Sequence, residues 1–184
     1  MPVPIQAGLV QAAQGRPAHR RRLTVVRRWC PARTLHLVDI ENLAGTAIPS
    51  KCQVMEVHGR YARQTALGGD DQVIMASSHL AIVNAALGWP HARYRARSGP
   101  NGADLALLDV IVYENVAARF THVVIGSGDG LFYRAVEGLA KSGVWVTVVS
   151  RPGSLSSSLA SVAGDVIYLD ASPGPAGNDW SAAA

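Results

Sequence analysis

The chain has two cysteines, Cys30 and Cys52, in 184 residues. They form neither a CxxC pair nor a His/Cys cluster at zinc spacing, so a disulfide framework or a zinc module does not organise the fold. Ordinary reduced thiols in a cytosolic protein are the expectation, and the localisation expected is cytoplasmic. No run of about 18 consecutive apolar residues occurs, so no membrane span is expected. The basic region, apolar run and small-residue cleavage site of a secretory signal are also missing. Acids are absent from residues 1–38, which hold seven arginines and carry +7. The remainder holds 10 basic and 13 acidic residues and carries −3, so the net charge of +4 comes from the leader. A basic arm beside a mildly acidic domain suits a nucleic-acid partner; a solvated tail has the same composition.

What is present is an apolar fraction of 48%, ample for one core. Residues 1–33 show no sustained period and contain Pro2, Pro4, Pro17 and Pro31, so a largely unstructured leader is expected. From Leu35 the pattern changes. Apolar runs at Leu35–Asp39, Gln72–Ala76, His122–Ile125, Val144–Val149 and Val166–Leu169 read as strands, as does the alternating segment His91–Arg97. Helices are expected over Ser50–Leu67, Ser78–Leu87, Ala103–Arg119, Gly130–Ser142 and Ser154–Ala163, several stopped by glycine or proline. The tail from Ala171 is Pro/Gly-rich and is expected to be disordered. One domain over residues 34–170 follows, with strands alternating with helices around a mostly parallel sheet.

In open sheets of this kind functional groups gather at the carboxyl ends of the strands. Asp39 ends the first strand, Asp104 opens the helix after His91–Arg97, and Asp129 follows His122–Ile125. Three acids distant in sequence therefore map to one sheet edge. Two carboxylates about 4 Å apart repel by about 4 kcal/mol at an effective dielectric of 20. A hard cation neutralises such a cluster, and Mg²⁺ or Mn²⁺ takes carboxylate, water and phosphate oxygens. It can then activate water and stabilise charge on a phosphodiester. Each acid also has a plainer use: Asp39 in a turn, Asp104 at a helix N-terminus, Asp129 as a helix cap.

The elbow Gly126-Ser127-Gly128-Asp129-Gly130 is not a dinucleotide fingerprint. Its spacing is GxGxG, and the following strand ends Val148-Val149-Ser150 with no acid to hold a ribose. A phosphatase of the haloacid-dehalogenase type needs a second Asp two residues after its nucleophile, where this chain has Glu41.

Three segments in order resemble a known family. Asp39-Ile40-Glu41-Asn42-Leu43, Gly102-Ala103-Asp104-Leu105-Ala106-Leu107 and Gly126-Ser127-Gly128-Asp129-Gly130-Leu131-Phe132 resemble the motifs of the NYN domain, a branch of the PIN-like ribonucleases. Leu159–Asp170 resembles its closing helix and strand. The resemblance implies a three-layer α/β/α, PIN-like (Rossmannoid) fold and a metal-dependent endoribonuclease using Mg²⁺ or Mn²⁺. It implies that Asp39, Asp104 and Asp129 bind the metal and that Asn42 orients the scissile phosphate or a water. Ser127 would donate to a phosphate oxygen near the helix N-terminus. Many members carry a second acid two residues after the third-motif Asp, where this chain has Leu131. Asp109 replaces that ligand only if Asp104 sits at or before the helix start, because five residues carry it about 140° round a helix.

Arg93, Arg95 and Arg97 share one face of the strand leading to Asp104. They are expected to form a phosphate track into the pocket; charges protecting an edge strand are the alternative. The expected partner is RNA, with no membrane and with a homodimer left open. The rival to a nuclease is a weakened or inactive RNA-binding module that retains the fold, and Leu131 is its support.

Overall fold

The computed structural model describes residues 33–169. The expectations for residues 1–32 and for the tail from Ala171 lie outside the described residues.

Six strands form one all-parallel sheet in the order β3-β2-β1-β4-β5-β6. They are β1 (Thr34–Asp39), β2 (Gln72–Ser77), β3 (Arg93–Ala96), β4 (His122–Gly126), β5 (Trp145–Ser150) and β6 (Asp165–Tyr168). The central strands are apolar runs because both of their faces are covered: β1 is buried from Leu35 to Asp39. Leu35 and Leu37 face one helical layer, packing with Leu107, Val136 and Leu159. Val38 faces the opposite layer, packing with Leu43, Val54 and Tyr61. Alternation along one strand thus feeds two separate cores, and the result is the expected three-layer α/β/α arrangement.

The first layer contains α4 (Gly102–Tyr113), α6 (Tyr133–Lys141) and α7 (Ser157–Val162). The second contains α1 (Ile40–Ala44), α2 (Lys51–Thr65) and α3 (Ile82–Gly88). Helix α2 starts at a capping box: Ser50 Oγ accepts from Gln53 N, and Gln53 Oε1 accepts from Ser50 N. Such a cap contributes about 1 kcal/mol. The stripe Val54, Val57 and Tyr61 is buried, each side chain contributing about 1.5–3 kcal/mol. The fourth residue expected in it, Thr65, is half-buried.

The helix expected over Ala103–Arg119 is two helices. α4 ends at Tyr113, and α5 (Val116–Arg119) follows Asn115, whose φ of 50° is left-handed. Asn tolerates that conformation, and helical continuation stops there. The elbow after β4 enters α6 through a single 3₁₀ turn over Gly130–Phe132.

Strands β2 and β3 grow from β1 in one direction, and β4, β5 and β6 in the other. The direction reverses between β1 and β4, so their carboxyl ends open a crevice at the switch point.

Candidate active site at the switch point of the sheet

Asp39 is the last residue of β1 and the N-cap of α1. Its Oδ1 accepts from the backbone N–H groups of Glu41 and Asn42, both at 3.0 Å. Asp104 lies in the first turn of α4. That turn packs tightly on the end of β3, since a Cβ at Gly102 would stand 2.2 Å from the Arg97 carbonyl oxygen. Asp129 caps the 3₁₀ turn after β4, its Oδ1 accepting from Leu131 N at 2.8 Å.

Asp104 lies within electrostatic reach of both Asp39 and Asp129. Asp39 and Asp104 are 5% and 6% exposed, and Asp129 is half-buried. Burial pushes the Asp39 carboxyl up to about 7, with the charges of Asp104 and Glu41 adding to the rise and the Asn42 N–H opposing it. Burial also raises Asp104, and the charges of Asp129 and Glu41 raise it further. The neighbouring Asp39 carboxyl and Ser127 hydroxyl oppose that rise. Without a counter-ion, the upward push on both carboxyls favours a proton held by the pair. Asp104 Oδ1 is buried and has no hydrogen-bond partner. An orphaned carboxylate oxygen between two further acids is costly unless a proton or cation joins it. The donor set is all oxygen, which suits Mg²⁺ or Mn²⁺. Among the described residues, however, no three His, Cys, Asp or Glu side chains are already gathered as a ligand group. One oxygen each of Asp39 and Asp129 is engaged in capping.

Asn42 ties the site together. Its backbone N–H donates to Asp39, its Oδ1 accepts from Gly128 N at 3.1 Å, and its carbonyl accepts from Arg151 Nε at 2.7 Å. Gly128 must be glycine, because a Cβ there would stand 2.2 Å from the Ser154 carbonyl oxygen. The loops after β1, β4 and β5 are thereby held in one unit.

The other expected site residues have partners of their own. Asp109 is exposed and pairs with Arg97 at 3.1 Å. Asp104 stands inside the first turn, so five residues of helix turn Asp109 away from the pocket. Ser127 is fully buried and accepts from Asp129 N at 3.2 Å. It braces the acids from inside. Arg93 and Arg95 both pair with Glu114 at the end of α4, and β3 is an edge strand. With Arg119 they share the one Glu114 carboxylate, and charges along an edge strand are what the edge-protection alternative describes.

Two residues near the site were missed. Glu41 is half-buried, acts on both Asp39 and Asp104 through its charge, and its Oε1 accepts from Ser78 N at 2.6 Å. The Asp39-x-Glu41 spacing was its only signal. Arg151 follows β5 directly and has no sequence neighbour that marks it.

A doubly wound parallel sheet with an acid cluster at its switch point is the frame of a PIN-like nuclease domain. Residues 33–170 match the NYN domain family. The chain belongs to the NYN domain family. The comparison with curated proteins found no match. Among solved structures, a protein of unknown function from Vibrio parahaemolyticus is similar, with a TM-score of 0.50 and 17% identity over 76% of this chain and 93% of that chain. That likeness bears on the fold alone.

Proposed function

We propose that this chain is a divalent-cation-dependent endoribonuclease acting at the switch-point crevice. Family membership supports a nuclease-like domain. The observation that carries the finer reading is the buried, unpartnered Asp104 Oδ1 among further carboxylates. Asp39, Asp104 and Asp129 would hold the ion, which supplies a polarised water and neutralises charge developing on the phosphodiester. The chain's own residues do the positioning. The Glu41 and Asn42 N–H groups fix one oxygen of Asp39, and the Leu131 N–H fixes one oxygen of Asp129. Asn42 sets the distance between the β1 and β4 loops rather than presenting its Oδ1 to substrate, because that oxygen accepts from Gly128. The β3 arginines keep guanidinium N–H groups beyond those in their ion pairs, so a peripheral phosphate contact remains part of the proposal.

Among the described residues no helix is long and apolar enough to cross a membrane. A homodimer finds no support and is not proposed. The test is incubation of the purified chain with structured and single-stranded RNA, with Mn²⁺, Mg²⁺ or chelator. Internal cleavage leaving 5′-phosphate and 3′-hydroxyl ends, abolished by chelator, is expected. Binding without cleavage under every condition favours the second reading, an inactive RNA-binding module. Its specific support is Leu131, a 41% exposed apolar side chain where the family resemblance implies an acid.

A further inference from the structure

Four arginines of the fold have acidic partners. Arg93, Arg95 and Arg119 surround Glu114, and Arg97 meets Asp109. Arg151 differs. It is half-buried at the carboxyl end of β5, beside β4 and on the same sheet edge as the acids. Among the described residues no carboxylate pairs with it. Its Nε donates to the carbonyl of Asn42, three residues beyond Asp39, and among the described residues its Nη groups have no acceptor. The guanidinium occupies space that only glycine leaves open: a Cβ at Gly45 would stand 2.7 Å from Nη1 and 2.9 Å from Cζ.

We propose that Arg151 is an RNA-binding residue whose Nη groups take a phosphate of the strand lying across the acid cluster. Three facts point the same way. The cation is fixed by a neutral carbonyl, so its charge is not cancelled locally. It is anchored through Nε, leaving the terminal nitrogens in a fork suited to phosphate. It is held by Asn42, the residue that also locks the Asp39 and Asp129 loops, so the bound phosphate keeps a set distance from the acids. This assignment rests on the ribonuclease reading and adds one contact to it.

The test uses the full chain and a fluorescein-labelled single-stranded oligoribonucleotide, with anisotropy followed across salt in the presence of Ca²⁺. Arg151→Gln should weaken binding about tenfold and flatten the log Kd against log salt slope by about 0.7, one phosphate contact on a single strand. In cleavage assays KM should rise while kcat changes less than twofold. Arg151→Lys keeps the charge and should restore most of the slope. A residue that only clamps α1 would lower the melting temperature in both variants and leave the slope unchanged. Should Arg151→Gln not fold, phenylglyoxal modification of the wild-type chain is read by mass spectrometry instead. Bound RNA should slow modification at Arg151 several-fold, and an unaltered rate overturns the assignment. Wild-type binding and cleavage with an unchanged slope in Arg151→Gln sinks this inference alone. A wild-type chain that neither binds nor cleaves RNA sinks the ribonuclease reading with it.

Discussion

Replacing Asp39 by Asn should stabilise the cation-free protein at alkaline pH while weakening its response to cations. The Asp39 carboxyl is 5% exposed and its pKa is raised to about 7, chiefly by burial and then by the charges of Asp104 and Glu41. In the unfolded chain it titrates near 3.9. The folded state therefore binds more protons than the unfolded state between about pH 4 and pH 7. Stability is highest below that window and falls as pH rises through it. A rise of about three pH units corresponds to at most about 4 kcal/mol at 1.36 kcal/mol per unit. Asp104 ionises more readily beside a neutral partner and offsets part of this, leaving about 2 kcal/mol. Asn keeps the cap, because its amide oxygen can still accept from the Glu41 and Asn42 N–H groups. Urea unfolding in chelator from pH 5 to pH 8 should show wild-type stability falling relative to the Asn variant, the His36 contribution being common to both, with the difference between the curves reaching about 2 kcal/mol at pH 8. Mn²⁺ at a hundred times its Kd should then restore about 2.7 kcal/mol to wild type and much less to the variant. Parallel pH curves, or equal gains from Mn²⁺, would refute the reasoning that the acids form one repulsive, cation-ready centre.

Three further outcomes follow from the same geometry. Leu131→Asp, by adding a carboxylate at an exposed position next to the Asp129 cap, should tighten Mn²⁺ binding in calorimetry by severalfold and raise the cleavage rate; unchanged affinity would remove Leu131 as a deficiency. His36 is buried in β1, bonded to the Tyr61 hydroxyl, and burial lowers its pKa to about 4. The unfolded state takes up its proton first as pH falls, so stability is lost from about pH 6.5 down to pH 4, by about 3 kcal/mol, and His36→Phe should remove that slope in the same urea titration. Gly88→Ala places a Cβ 2.6 Å from Val54 Cβ and 2.8 Å from the Lys51 carbonyl, so it should cost about 1–3 kcal/mol and lower the melting temperature by several degrees.

Much of the frame was legible because its signals are local. Runs such as Leu35–Asp39 are mostly apolar and end in an acid, which marks a buried parallel strand and the edge its last residue reaches. That Asp104 falls within reach of Asp39 and of Asp129 followed from topology, since a parallel sheet brings every strand's carboxyl end to one side. What escaped was set by long-range contacts. The five-residue α1 is too short to show a period, and it forms around the Asp39 cap. The direction of Glu41 is fixed by Ser78 N, 37 residues away. Arg151 is held by Asn42 across 109 residues. Ser127 sits in a glycine-rich elbow that looks like a phosphate loop, but the Asp129 N–H turns onto it and the side chain is buried. The place of Asp109 turned on a single open point, the residue at which α4 begins. A start at Gly102 puts Asp104 within the first turn and hands Asp109 to Arg97.

The most direct measurement of the central claim is the rate at which the wild-type chain and Asp129→Asn cut a labelled RNA in Mn²⁺, with melting temperatures taken on the same samples. Asn still accepts the Leu131 N–H at the cap, so the fold should be retained. The account predicts metal-dependent cleavage by wild type and a loss of at least about a hundredfold in the variant, in the range typical for removing a charge-stabilising group at a reacting centre. Equal rates in the two proteins, or wild-type cleavage that persists in chelator, would contradict it.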